Sequence, residues 1–261
     1  MKKVRITISD IRFLIYPVFL LFLFFLLVIN CAPPPSYIPK EVSPPKFSFY
    51  PPSTRAKKTN IIIAVVAPKY NADAIEKAAM VITQDNLNRM FEYTNYFTSA
   101  VASDTEKIII ARGFNSKGPF RSLDYMTYPD KKGSDLTLSP MIYITTSYST
   151  SGKGTIFSSS PPGKLTVTGF MELIMLEPLS GEEMWLKKID FDQVVADYNF
   201  SYWTTEKGVR NVTIDTRPEA LKDALEMIYP KVLRTVWNYL NPEEVNYLKR
   251  ESQEIRDRKR F

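Results

Sequence analysis

Apolar and polar positions change their pattern several times along the chain. Residues 13–29 are an apolar run of seventeen without a single charge. Residues 60–66 (NIIIAVV) are a continuous, mostly β-branched run closed by Pro68, the pattern of a strand buried on both faces. Within 72–93, Ile75, Ala78, Ala79, Ile82, Met90 and Phe91 fall largely on one face at helical spacing, which predicts an amphipathic helix. Strand composition resumes over 96–101, so the opening reads β-α-β. The stretch 106–112 carries three consecutive Ile and fits either a strand or a buried helix. Residues 113–134 are rich in Gly, Pro, Lys and Asp and predict a loop with a short helix near 120–126.

The pattern then turns antiparallel. Residues 136–148 alternate in part, with Met141, Tyr143 and Thr145 set against Ile142, Ile144 and Thr146. A Ser/Gly/Pro loop over 149–163 leads to a long strand at 164–176. The turn Pro178-Leu179-Ser180-Gly181 predicts a return strand at 184–191. Further on, Leu221, Leu225, Ile228, Val232, Val236 and Leu240 recur at helical spacing. Thr216, Pro218 and Glu219 predict a capping-box start, and Pro230, lacking an N–H, is expected to kink or split that helix. A last helix is predicted from Asn241-Pro242 into the basic end at 256–260. The expected architecture is a single α+β domain over 60–261, a mixed or mainly antiparallel sheet packed by an N-terminal helix and C-terminal helices.

Ahead of that domain, a basic n-region (Lys2, Lys3, Arg5 and Arg12 against Asp10) precedes the apolar run, as in a secretory signal. The residues Val28-Ile29-Asn30-Cys31 resemble a bacterial lipoprotein signal, in which cleavage makes the Cys the new N-terminus and acyl chains such as palmitate are attached to it. This divides the chain into a signal peptide (1–30), a lipidated Cys31 with a tether (31–59), and the globular part. Several acyl chains, at about 0.8 kcal/mol per buried methylene, hold a protein stably on a membrane. The alternative is an uncleaved signal anchor in which Cys31 is incidental. Asn30 departs from the small residue usual before the Cys, while Ala32 after it fits sorting to the outer membrane. Residues 32–52 hold eight Pro in twenty-one positions, an extended polyproline tether of up to roughly 65 Å at about 3.1 Å per residue.

Composition closes several classes of chemistry. The 261 residues include no His and one Cys, so no imidazole base, no Ser-His-Asp or Cys-His arrangement, no His or thiolate metal site and no internal disulfide can be built from them. The net charge is +6, but the first thirty residues supply +3 of it, too mild a remainder to argue nucleic-acid binding. Ser151-Gly152-Lys153-Gly154-Thr155 fails as a phosphate loop, because Lys153 is followed by Gly and no helix opens there. Glu182/Glu183 and Asp190/Asp192 are carboxylate pairs with nothing nearby to complete a site. The basic end at 256–260 reads as a solvated helix terminus. The expectation is therefore a non-enzyme without a cofactor. Tyr198, Phe200, Tyr202 and Trp203 form an aromatic cluster that reads either as a ligand platform, with Tyr198, Tyr202 and Trp203 as its residues, or as one buried strand face.

Gly169-Phe170, then Leu176-Glu177-Pro178-Leu179-Ser180-Gly181-Glu182, then Glu219-Ala220-Leu221-Lys222-Asp223-Ala224-Leu225 follow one another in an order also found in the neuraminyllactose-binding haemagglutinin lipoproteins (the HpaA family) of gastric bacteria, which this chain resembles. The closing segment from Tyr247-Leu248-Lys249 to Arg258-Lys259-Arg260 is similar to that family's basic C-terminus, and 60–67 to its first strand. The resemblance implies a lipoprotein of the outer membrane or flagellar sheath, anchored through its acyl chains and acting as an adhesin for sialylated host glycans. The alternative it leaves is a structural or assembly lipoprotein that binds another envelope protein. The short basic Ser-Phe-Lys type segment proposed for sialic-acid binding in that family has no counterpart here, Phe120-Arg121-Ser122-Leu123 being the nearest string, so no glycan-binding residue is carried over.

Overall fold

A computed structural model describes residues 43–52, 57–71, 83–150, 163–204 and 210–259, all within one compact unit, Glu41–Phe261. The apolar run at 13–29, Cys31, the predicted helical positions 72–82 and the loop at 151–162 lie outside the described residues. No helix among the described residues is long and apolar enough to cross a membrane.

The sheet starts with β1 (Ile62–Val66), in which Ile63, Ala64, Val65 and Val66 are all buried, as an uninterrupted apolar run requires. A short β2 (Lys69–Asn71) follows, and then α1 (Gln84–Ala111). The Thr83 hydroxyl accepts a hydrogen bond from the Asn86 N–H and caps this helix. The helix runs far past the expected boundary, and the strand predicted at 96–101 is helical. Met90, Tyr93, Phe97, Val101, Thr105 and Ile108 repeat at three- and four-residue spacing and bury one stripe, while Tyr96 and Ile110 stay exposed. That burial outweighs the β-branched and aromatic composition. The helix closes at Gly113, whose φ of 88° is a left-handed position that suits a residue without Cβ.

The chain returns as β3 (Asn115–Phe120), parallel to β1, within the stretch expected to be loop. A 3-10 turn (Leu123–Tyr125) and α2 (Tyr128–Lys132), capped by Thr127 and Asp130, lead to the long strands β4 (Leu136–Thr150), β5 (Gly163–Leu176) and β6 (Glu183–Tyr198). The order is β3-β1-β4-β5-β6, with β2 paired to β4 beyond β1. Pairs β1–β3, β1–β4 and β2–β4 are parallel, whereas β4–β5–β6 is an antiparallel meander, so the mixed α+β sheet is as expected. A separate hairpin of β7 (Phe200–Thr204) and β8 (Arg210–Asp215) precedes α3 (Arg217–Tyr239) and α4 (Pro242–Lys259).

The two long helices α1 and α3 pack side by side on the sheet and share the core with Leu136, Leu138, Leu165, Met171 and Leu173. The helix α3 is continuous through Pro230 and so is not split there. The expected capping box is corrected: the Thr216 hydroxyl accepts from the Asn199 N–H, and Glu219 pairs with Arg89 of α1. α4 lies across the strand ends. Glu177, fully buried after β5, accepts from the Arg256 Nε (2.8 Å) and from the Ser180 N–H, while Arg256 also donates to the Ser134 carbonyl (2.7 Å). The basic end of α4 is thus not simply solvated, since Lys259 also pairs with Glu182 at 2.8 Å.

Part of the expected tether belongs to this fold. Residues 43–50 run along α1 and α3, with the Phe47 ring 5.4 Å from Phe97 and 5.2 Å from Tyr229, and with Phe49 buried. Asp104, buried on α1, organises the contact by accepting from the Phe49 N–H (2.8 Å), the Tyr229 hydroxyl (2.7 Å) and Lys107 (2.6 Å). Burial, and then the neighbouring Asp104 carboxylate, push the Tyr229 hydroxyl pKa up.

Candidate functional site

Of the four aromatic residues singled out in the sequence, the side chains of Tyr198 and Phe200 are described. Tyr198 ends β6 with 4% of its surface exposed, edge-on to Tyr148 at 5.9 Å, its hydroxyl donating to the Ser149 carbonyl. Its ring occupies the space where a side chain at Gly163 on the paired strand would stand. Of the two readings, Tyr198 is core, and burial pushes its hydroxyl pKa up. Phe200 lies under the Arg217 guanidinium at 4.3 Å, beside the buried Asp215–Arg217 ion pair (2.7 Å). Tyr202 and Trp203 sit on β7 opposite Val212 and Asn211, and their side chains lie outside the described residues.

The acidic pairs are held by lysines. Lys188 pairs with Asp190 (2.9 Å) and Lys231 with Asp192 (2.8 Å). No group of three or more potential metal ligands occurs among the described residues.

The arrangement best suited to hold a ligand is a cleft of about 430 Å³ where the 43–50 segment meets the middle of α3, lined by Ser48, Phe49, Tyr50, Pro230, Lys231 and Arg234. The Asp104 contacts set its wall by fixing Phe49, which leaves the next residue, Tyr50, outside with 86% of its surface exposed. Helix spacing places Lys231 and Arg234 three apart on the same flank of α3. Arg234 is exposed and has no hydrogen bond or ion pair among the described residues. The lining combines one unpaired guanidinium, one ammonium, and tyrosine and proline rings. Such a set attracts an anion and offers apolar faces to a ring. A smaller hollow of about 120 Å³ lies on the other side of Lys231, between α3 and β6.

Sequence reasoning missed Tyr50, Lys231 and Arg234. The one available signal was the aromatic run Phe47, Phe49, Tyr50, out of place in a solvated tether.

No family model and no curated protein matches this chain. Solved structures do match. A structure assigned as a homologue of neuraminyllactose-binding hemagglutinin, from Helicobacter pylori, aligns with a TM-score of 0.55 at 13% identity, over 81% of this chain and 100% of that one. A Xanthomonas campestris protein aligns at 0.36 and 9% identity, over 75% and 91% of the two chains. A protein classed as a lipoprotein from Caulobacter crescentus aligns at 0.25 and 11% identity, over 69% and 86%. The first shares the fold of this domain; the other two are looser likenesses.

Proposed function

We propose that this chain is a lipid-anchored lipoprotein of the outer membrane, without enzymatic activity, whose domain binds sialylated glycans as an adhesin. The observation that carries the ligand reading is the cleft at Tyr50, Lys231 and Arg234, where an exposed ring and an unpaired guanidinium face the same space. A sialic acid combines a carboxylate with apolar C–H faces, and those are the two groups such a lining recognises. The name of the Helicobacter structure that shares this fold is in keeping with that reading. The anchor reading rests on the basic n-region, the apolar run and Cys31.

Two measurements test it. The intact mass of the membrane-extracted protein is expected to begin at Cys31 with acyl chains added, and to lose them in Cys31→Ala; a chain that keeps its first residues makes it a signal-anchored protein instead. Binding of the detergent-solubilised full chain to a glycan array is expected to fall on desialylation, and an array without signal refutes the adhesin reading.

A second reading, an assembly lipoprotein that binds another envelope protein, is supported by the sheet face opposite the helices. There Tyr143 stacks on Phe170 at 4.5 Å, Lys188 lies 4.3 Å from the Phe170 ring, and Leu186 is 45% exposed. Site-specific crosslinking from Leu186 to a single envelope protein, with no glycan signal, selects it.

A further inference from the structure

We infer that the face of the helical layer carrying the 43–50 segment is a docking surface for the anionic lipid bilayer that holds the chain's own anchor. This rests on the anchor reading above. It also gives the cleft face a second, competing use, since Tyr50 and Arg234 cannot hold a soluble ligand and lie on a bilayer at once.

The length of chain between anchor and fold brings the two together. Residues 32–52 read as one long tether, but 43–50 are packed onto α1 and α3 through Phe47, Phe49 and Asp104. The segment enters the fold at Ser43, whose hydroxyl accepts from Lys222 of α3 at 3.2 Å. Eleven residues, 32–42, then separate it from Cys31. Fully extended, at about 3.6 Å per residue, they reach roughly 40 Å. A domain of this size is roughly 45 Å across. The anchor therefore keeps the domain within about its own diameter of the membrane, and the chain enters the domain on this face. At such an effective concentration a surface too weak to hold a free protein on a membrane is enough for docking.

The face has the two components that a bilayer surface recognises. Met227, Pro230, Lys231 and Arg234 follow one another at the i, i+3, i+4, i+7 spacing of one helix stripe, and all four are exposed. Met227 has 59% of its surface open, and the exposed Tyr50 stands across the cleft from the stripe. A tyrosine, apolar in its ring and polar at its tip, suits the level of the lipid headgroups. Four cations surround these side chains: Lys46 on the segment itself, Lys107 on the Asp104 carboxylate, and Lys231 and Arg234 on α3. The acids beside them are engaged, Asp104 with Lys107, Asp192 with Lys231, Asp223 with Lys222, and Glu226 with the Lys46 N–H. The Lys46 ammonium and the Arg234 guanidinium have no ion pair among the described residues. Each cation brought close to an anionic membrane strengthens docking by about fivefold.

The test is acetylation footprinting of the wild-type full chain, added in detergent to preformed vesicles and recovered by flotation. Lysine reactivity is read by mass spectrometry on vesicles of phosphatidylcholine alone and on vesicles with about 30% phosphatidylglycerol. On the anionic vesicles Lys46, Lys107 and Lys231 are expected to react at least about fivefold more slowly than on the neutral ones. Lys164 and Lys188, on the sheet face away from the helices, are expected to keep their rates. Arg234→Glu is expected to abolish the protection, whereas Lys164→Glu, the same change of charge on the other face, is expected to leave it. Salt of about 1 M, where the Debye length is about 3 Å, is expected to weaken it. If the chain floats and its Lys46 and Lys231 rates do not depend on the lipid, the docking surface is refuted while the anchor reading stands. Protection that survives Arg234→Glu, or that moves to Lys164 and Lys188, refutes it as well. A chain that does not float with either vesicle overturns the anchor reading and the docking surface together. Glycan binding is read in detergent, so its failure is distinguishable from both.

Discussion

The substitution Glu177→Gln puts the strongest demand on the account of the fold. The Glu177 side chain is fully buried and that of Arg256 only 14% exposed, so their contact is shielded from solvent screening. Glu177 accepts from two donors, the Arg256 guanidinium and the Ser180 N–H, and a glutamine has one oxygen to offer them. One N–H then faces an NH₂ group, and Arg256 keeps a buried positive charge balanced only by the Ser134 carbonyl. Removing one partner of a buried pair costs about 3–5 kcal/mol. The lower figure applies because glutamine preserves the volume and one bond. At about 2–4 °C per kcal/mol for a domain of this size, the melting temperature at pH 7 falls by roughly 6–12 °C.

The same pair sets a pH dependence. Burial alone would raise the Glu177 pKa, but the Ser180 N–H and the Arg256 guanidinium outweigh it and hold the carboxyl below its ordinary range. A pKa depressed by folding means stability that is fully present above the unfolded value, about 4.3, and is lost as pH falls through the folded value. The gap between wild type and Glu177→Gln is therefore expected to be constant from pH 7 to about 5 and to shrink below about pH 4. Denaturant unfolding followed by circular dichroism over pH 3–7 measures it. A gap under about 1 kcal/mol at pH 7, or one independent of pH, refutes the reasoning.

Three other perturbations follow from single observations. Asp104→Ala leaves the Tyr229 hydroxyl and the Phe49 N–H without their acceptor, and is expected to cost about 2–4 kcal/mol and to open residues 43–52 to limited proteolysis before the rest of the domain. Gly118→Ala puts a Cβ 2.6 Å from the Val65 carbonyl oxygen at a residue with φ of 110°, and is expected to destabilise the chain by at least about 1–3 kcal/mol in a thermal melt. Tyr198→Ala empties a core position and is expected to cost about 3–5 kcal/mol, while Arg234→Ala at the surface shifts the melting temperature by no more than about 2 °C.

The elements that were legible in the sequence are those whose own residues settle their state. The meander β4–β5–β6 has long alternation and a Pro-Leu-Ser-Gly turn, and α3 carries five apolar residues at helical spacing, all buried, with Leu240 at its C-cap buried as the sixth. The misses have tertiary causes. Residues 96–101 and 108–110 have strand composition, and only the packing of Phe97, Val101 and Ile108 under α3 selects helix. β3 is a sheet edge of exposed or half-buried Asn, Ser, Lys, Gly and Pro, which leaves no apolar pattern to read. The cleft was illegible because Tyr50 and Arg234 are ordinary surface residue types far apart in the chain. Only the docking of residues 43–50 through Asp104, itself an unremarkable acid inside a helix, brings them together.

The residues that carry the family resemblance and the residues that line the cleft are different sets with different physical roles. Gly169 lies so close to β4 that a Cβ would collide with the Tyr143 carbonyl oxygen. Glu177 ties the β5–β6 turn to α4, and Leu221, Ala224 and Leu225 are fully buried on α3. Each of these keeps the fold, and none lines the cleft. A distant relative can therefore preserve every one of them while exchanging Tyr50, Lys231 and Arg234, which are exposed and bear little on stability. This explains how the fold can be shared at 13% identity and why sharing it decides nothing about the ligand. It also sets where mutagenesis separates the two. Substitutions at Gly169, Glu177 or Leu225 are expected to weaken binding only by lowering the stability of the domain, whereas Arg234→Ala is expected to remove it from a domain whose melting temperature moves by no more than about 2 °C.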